Sequence, residues 1–239
     1  MHRFWEFKAL GNAGELFLYG EISDSTWWGD EVTPAQFQKD LAALGDISSL
    51  DVYINSPGGD IFAGFSIYNI LQRHKATKTV HIDGLAASAA SVVAMASDTI
   101  KMPENATMMI HNAWTYASGG AEDLRKTADE LDRINGQIAD IYAARTGKDK
   151  ADITAMMDAE TWMSGADAVA NGFADELIEN KKVAACADAN KYFAHYKHAP
   201  KNNTTDNGGE IQPTTDKPNA ALTEQREKFK ATRLKLLEV

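Results

Sequence analysis

The chain is short of cysteine, of basic charge and of long apolar runs, and each shortage removes a class of protein. Its one cysteine, Cys186, cannot build a disulfide framework or a multi-cysteine metal site, and a lone thiol suits a reducing compartment. With 24 Lys and Arg against 34 Asp and Glu, a net charge of −10, no basic face for neutralising phosphates is expected, and so no nucleic-acid partner. No apolar run has bilayer-spanning length, and the opening MHRFWEFKALGNAGE lacks both a continuous apolar core and a signal-type cleavage site. A cytoplasmic protein with no membrane partner is therefore expected. There is no internal repeat and no Walker-type loop. What is present is 239 residues, 44% of them hydrophobic, enough for one substantial core and an added tail.

Strand and helix signals alternate along most of the chain. ELFLYGEI (15–22) is rich in β-formers and reads as a strand. In VTPAQFQKDLAALG, Thr33 stands as N-cap and Pro34 opens a helix whose Phe37, Leu41 and Leu44 share a face before Gly45 closes it. LDVYINSPGGD is a strand running into a Pro-Gly-Gly turn. FAGFSIYNILQRH is a helix with Phe65, Tyr68 or Asn69, and Gln72 in successive turns. KTVHIDG predicts another strand and ASAASVVAMA another helix, a pattern that implies an α/β domain with a mostly parallel sheet. Two short strands flank Pro103, and a long helix is predicted over 121–145. Its two seven-residue series, Leu124, Leu131, Ile138 and Thr127, Ile134, Ile141, form a narrow seam for packing on another helix. DKADITAMMDAE predicts a shorter helix, and TWMSGADAVANGFADEL a turn, a short helix and a last strand.

Composition changes near residue 199. The stretch 199–219 has no aromatic residue and one large aliphatic one, so it is expected to be a flexible linker. Residues 220–239 can form one amphipathic helix, with Leu222, Phe229 and Leu236 in register, too short to be stable without a partner surface. The expected organisation is a domain over 1–198, a linker over 199–219 and a terminal helix over 220–239.

Three stretches carry chemistry. In DGLAASAASVVAM (83–95), Ser88 enters an apolar run among tiny side chains. At a strand-to-helix junction a serine is exposed beside unpaired N–H groups of the first helical turn, but alone the stretch fits a small-residue packing helix better. His111 ends the apolar run of MMIHN, 23 residues later, where it could serve Ser88 as a base or be a satisfied structural residue. The glycines of INSPGGD allow positive φ and close approach of a backbone N–H, which suits an oxyanion donor or an ordinary turn.

YINSPGGDIFAGFSIYNIL, DGLAASAAS, MMIHN and ETWMSGADAVANGFADEL, in that order, resemble the proteolytic subunit of caseinolytic Clp proteases, the ClpP family. The wording of the first three is most similar to the ClpP-related head maturation (prohead) proteases of tailed phages. The resemblance covers roughly residues 14–180. It implies an α/β ClpP/crotonase-like fold of repeated β-β-α units with a long protruding handle helix. It places the nucleophile on Ser88, the general base on His111 and the oxyanion-hole amides on Gly59 and Ala89. The family's third triad member is an aspartate; here that position holds Glu160, with Asp158 a competing carboxylate two residues earlier.

The implied activity is a serine endopeptidase that needs no metal or organic cofactor and acts on protein or peptide substrates. The role this resemblance implies first is phage head maturation, with capsid or scaffold precursors as substrates, in the host cytoplasm or prohead; the alternative is a general Clp proteolytic subunit working with a separate ATPase. Homo-oligomeric rings are implied by the handle. A degradative role would need a separate ATPase, since this chain has no nucleotide loop. Alternatives are a crotonase-like acyl-CoA enzyme, recognised by acyl-CoA binding without peptidase labelling, and a non-catalytic assembly subunit.

Overall fold

A computed structural model describes residues 4–23, 34–179, 196 and 198; the expected linker, the terminal helix and the Thr33 cap lie outside them. The chain opens with an antiparallel pair, β1 (Trp5–Leu10) and β2 (Ala13–Tyr19). Four parallel strands extend the sheet: β3 (Ser49–Ser56) beside β2, β4 (Thr77–Ala87) beside β3, then β5 (Thr99–Pro103) and β8 (Glu176–Ile178). Helices α1 (Pro34–Ala42), α2 (Ile61–Arg73) and α3 (Ala89–Ala94) fill the early crossovers. Later come β6 (Thr107–Ile110), α4 (Ala121–Thr146), α5 (Lys150–Asp158), β7 (Thr161–Met163) and α6 (Gly165–Ala170). The α/β class and mostly parallel sheet follow the sequence pattern.

Alternation decides which face is covered. Along β3, Leu50, Val52, Ile54 and Ser56 are buried and the residues between them are half-exposed, as in a strand with one face on the core. Leu16 and Leu18 of β2 and Val80 and Ile82 of β4 continue that layer. Phe37 and Leu41 of α1 pack into it as expected, each such burial contributing roughly 1.5–3 kcal/mol. On α2, Phe65 and Tyr68 of the expected series pack half-buried against the core, while Gln72 is exposed. Ala63, Gly64, Ile67, Ile70 and Leu71 go inward, because a Cβ on Gly64 would already lie 3.2 Å from that of Ala89 and the α2–α3 contact admits only small groups.

Strand β4 changes partners along its length, and this positions the site. Its first half, Thr79–His81, pairs with β5, while its last residues, Leu85–Ala87, pair with β6. A register shift against β3, from Ile54↔Ile82 to Ser56↔Ala86, brings the Pro57-Gly58-Gly59 turn beside the end of β4. The strand β7 occupies the place where a turn was expected; its three residues run antiparallel to β6. In α4 the expected seam divides: Ile134 and Ile138 are buried with Ala139 and Tyr142, whereas Leu124 is 44% exposed and the first turns are uncovered.

Candidate active site

Three strand ends converge. β4 stops at Ala87, in register with Met109 of β6, and the Ser88 amide donates to the Met109 carbonyl at 3.0 Å. Two residues on, His111 leaves β6. The antiparallel register Ile110↔Thr161 then sets Glu160, just before β7, across from His111. The sheet thus brings together residues that stand 23 and 49 positions apart in the chain, and the serine hydroxyl lies 2.8 Å from His111 Nε2.

The serine occupies a strained turn. Ser88 has φ 55° and ψ −127° and serves as N-cap of the six-residue α3 without a side-chain cap bond, so its hydroxyl is left for the cavity. The turn is held from beneath by Ser91, whose hydroxyl is within 2.6 Å of the Ser88 carbonyl, 2.9 Å of the Met109 carbonyl and 2.8 Å of the Tyr142 hydroxyl. Tyr142 is fully buried, and burial raises its phenol pKa, with the Ser91 hydrogen bond opposing. This support was missed because nothing in the spacing of Ser91 and Tyr142 announces contact.

Only glycine fits the neighbouring turn. Gly58 has φ 91°, and a Cβ there would meet the Ala87 carbonyl oxygen at 2.6 Å and Ser88 Cβ at 2.7 Å. Gly59 has φ 141°, and its Cβ would lie 2.0 Å from the Ile22 carbonyl oxygen. The bridge between Ile22 and this turn uses the Gly58 carbonyl and the Asp60 amide, which leaves the Gly59 N–H out of the pairing. The Ala89 N–H, first in α3, has no acceptor within its helix. Both residues line the cavity of about 620 Å³ that contains Ser88 and His111, a volume suited to a substrate segment.

Burial pulls the His111 imidazole below its ordinary value near 6.5, and the charge of Glu160 pulls it partly back. Glu160 is buried, at 9% exposure, with φ 50°. Its Oε1 accepts from the Trp162 indole at 3.1 Å and from the His198 amide at 2.7 Å. Asp158 is exposed at the end of α5 and accepts from the Asn112 side chain at 2.7 Å. Tyr196 also lines the cavity, a residue that sequence reasoning passed over.

A serine hydroxyl bonded to a half-buried imidazole, next to amides with no acceptor among the described residues, is the layout of a serine-type hydrolase on an α/β scaffold. Comparison with known proteins narrows this class. A model described as Clp protease matches residues 6–181. The chain is 31% identical over 157 residues to the ATP-dependent Clp protease proteolytic subunit of Bacteroides fragilis, covering 64% of this chain and 76% of that one. It is 30% identical over 174 residues to ATP-dependent Clp protease proteolytic subunit 2 of Treponema denticola, covering 72% and 84%. The proteolytic subunit of Porphyromonas gingivalis is 30% identical over 170 residues, covering 70% and 74%. The chain belongs to the Clp protease family and is a serine-type endopeptidase.

Proposed function

We propose that this chain is the proteolytic subunit of a Clp-type protease, with Ser88 attacking a peptide carbonyl while His111 takes its proton. The 2.8 Å contact between Ser88 Oγ and His111 Nε2 carries this reading. A neutral imidazole, favoured by burial, can accept the serine proton and return it to the leaving amine. The Gly59 and Ala89 amides would hold the negative oxygen of the tetrahedral intermediate. Water then releases the acyl group from Ser88, and the cycle needs no cofactor. Glu160 is the better candidate for the third member, since it is buried and acts on His111 through its charge, whereas Asp158 is exposed and engaged with Asn112.

The relatives' names support a subunit that works beside a separate ATPase on protein substrates. The uncovered first turns of α4, with Leu124 exposed, support a second copy packing there in a homo-oligomeric ring. Phage head maturation, with capsid or scaffold precursors as substrates, is the narrower reading. It rests on the wording of INSPGGD, AGFSIYN and GLAASAAS, and the names of the relatives favour the Clp subunit over it.

The test is labelling with a fluorophosphonate probe. The adduct should map to Ser88 and vanish in Ser88→Ala, with His111→Ala slowing it by at least about a hundredfold. An assembled wild-type protein that takes no label would refute the peptidase mechanism.

A further inference from the structure

Tyr196 lies far along the chain from the site, yet it stands inside the cavity. Its hydroxyl donates to the Pro57 carbonyl at 2.7 Å, across 139 residues of sequence. Its ring meets His111 edge-on at a centroid distance of 5.3 Å and Trp162 at 5.6 Å, with interplanar angles of 83° and 78°. Two residues on, the His198 N–H donates to Glu160 Oε1 at 2.7 Å. These two residues therefore reach the turn beside the nucleophile, the imidazole and the carboxylate, which belong to three different parts of the fold.

We propose that Tyr196 and His198 are intramolecular occupants of the catalytic cleft, competing with substrate peptides for it and holding the full chain in an autoinhibited state. The inference rests on the peptidase reading given above. Edge-on rings with centroids 5.3 Å apart are in van der Waals contact. A peptide strand needs about 4.8 Å of clearance from its neighbour, so none can pass between Tyr196 and His111. The contacts are also of the kind that peptides make: a side chain seated on an aromatic wall, and a backbone N–H given to a fixed acceptor.

The chemistry of the phenol suits this role. A tyrosine offers a large apolar body with one polar tip, and here the tip is satisfied by a backbone carbonyl that would otherwise face the cavity. Burial pushes its pKa up to about 12, with the adjacent Ser88 side chain opposing, so the hydroxyl keeps its proton and remains a donor throughout the neutral range. The His198 amide adds a second restraint by drawing on the carboxylate oxygen that also accepts from Trp162. A residue that only positioned His111 would have no need of the Pro57 contact. An occupant of the cleft uses both.

Two measurements on the full chain test it. Fluorophosphonate labelling of Ser88 and hydrolysis of a short fluorogenic peptide should be about tenfold faster in Tyr196→Ala, with Tyr196→Phe between, because removing an occupant raises the competent fraction. Unchanged or slower rates in both variants would overturn the proposal and, if slower, make Tyr196 a positioning residue. The second measurement needs no catalysis. A fluorescein-labelled AHYKHAP peptide, residues 194–200, should bind Ser88→Ala/Tyr196→Ala about tenfold more tightly than Ser88→Ala, read by anisotropy. Equal affinities would overturn the occupancy. If the peptide discriminates but no variant labels, occupancy stands and the peptidase reading falls. If all variants label alike and the peptide does not discriminate, the reverse holds.

Discussion

Ser88 and Glu160 share a positive φ that no other described non-glycine residue adopts: 55° at the first and 50° at the second. Both flank His111, and each such conformation costs about 1–3 kcal/mol that the surrounding packing must offset. The strain at Ser88 can be separated from its chemistry. Ser88→Gly and Ser88→Ala should both be inactive, but the glycine variant should be more stable by about 1 kcal/mol, because glycine tolerates positive φ. Denaturant unfolding of the two variants measures the difference, and equal midpoints would contradict it.

The pH profile should carry the mark of burial. Because burial disfavours the imidazolium more than Glu160 favours it, the acid limb of kcat/KM should fall below pH 6.5. Activity is present above the folded-state pKa of His111 and is lost as pH drops through it. A limb displaced upward from 6.5 would be inconsistent with a desolvated base.

The two carboxylates make opposite predictions. Glu160→Gln removes the charge that supports His111⁺, so the acid limb should move lower still and kcat should drop by at least about tenfold. Asp158→Asn, at an exposed site bonded to Asn112, should change kcat by less than about twofold. Reversed outcomes in the same pair of profiles would assign the role to Asp158.

Beneath the nucleophile, Ser91 and Tyr142 should behave as one unit. Tyr142→Phe and Ser91→Ala should each destabilise by about 1–3 kcal/mol, since each leaves a buried polar group short of a partner. The double variant should cost less than the sum. Strict additivity in thermal or denaturant unfolding would show that the two hydroxyls do not cooperate.

These residues also mark where sequence reading stops. Ser88, His111 and the Gly58-Gly59 turn were legible through the resemblance of their stretches, in order, to one family; the local pattern alone favoured packing for Ser88 and left the other two open, although each ends a strand and strand ends in a parallel sheet gather at one edge. The strand β1 was not legible: in WEFKAL only Trp5 is buried, so there is no alternation to detect. The three residues of β7 are too few for any period, and they decide that Glu160 faces His111. In helix α2, Phe65 and Tyr68 pack half-buried beside a more deeply buried face of Ala63, Gly64, Ile67, Ile70 and Leu71, which their spacing did not single out. The Tyr196 and Ser91–Tyr142 contacts join segments 139 and 51 residues apart, distances over which local pattern carries no information.

The amide of Ser88 is tied to Met109, two residues before His111. Along the chain the two reacting groups are 23 residues apart; through that hydrogen bond the path shrinks to a few covalent links. Positional error accumulates with path length, so a sway of the whole sheet carries both groups together and leaves their separation nearly constant. Glu160 shares that footing only through the short β7, whose three residues pair with β6 at the margin of the sheet. As the fold loosens, the first tolerance to be exceeded is that of the carboxylate, while serine and histidine still keep their distance.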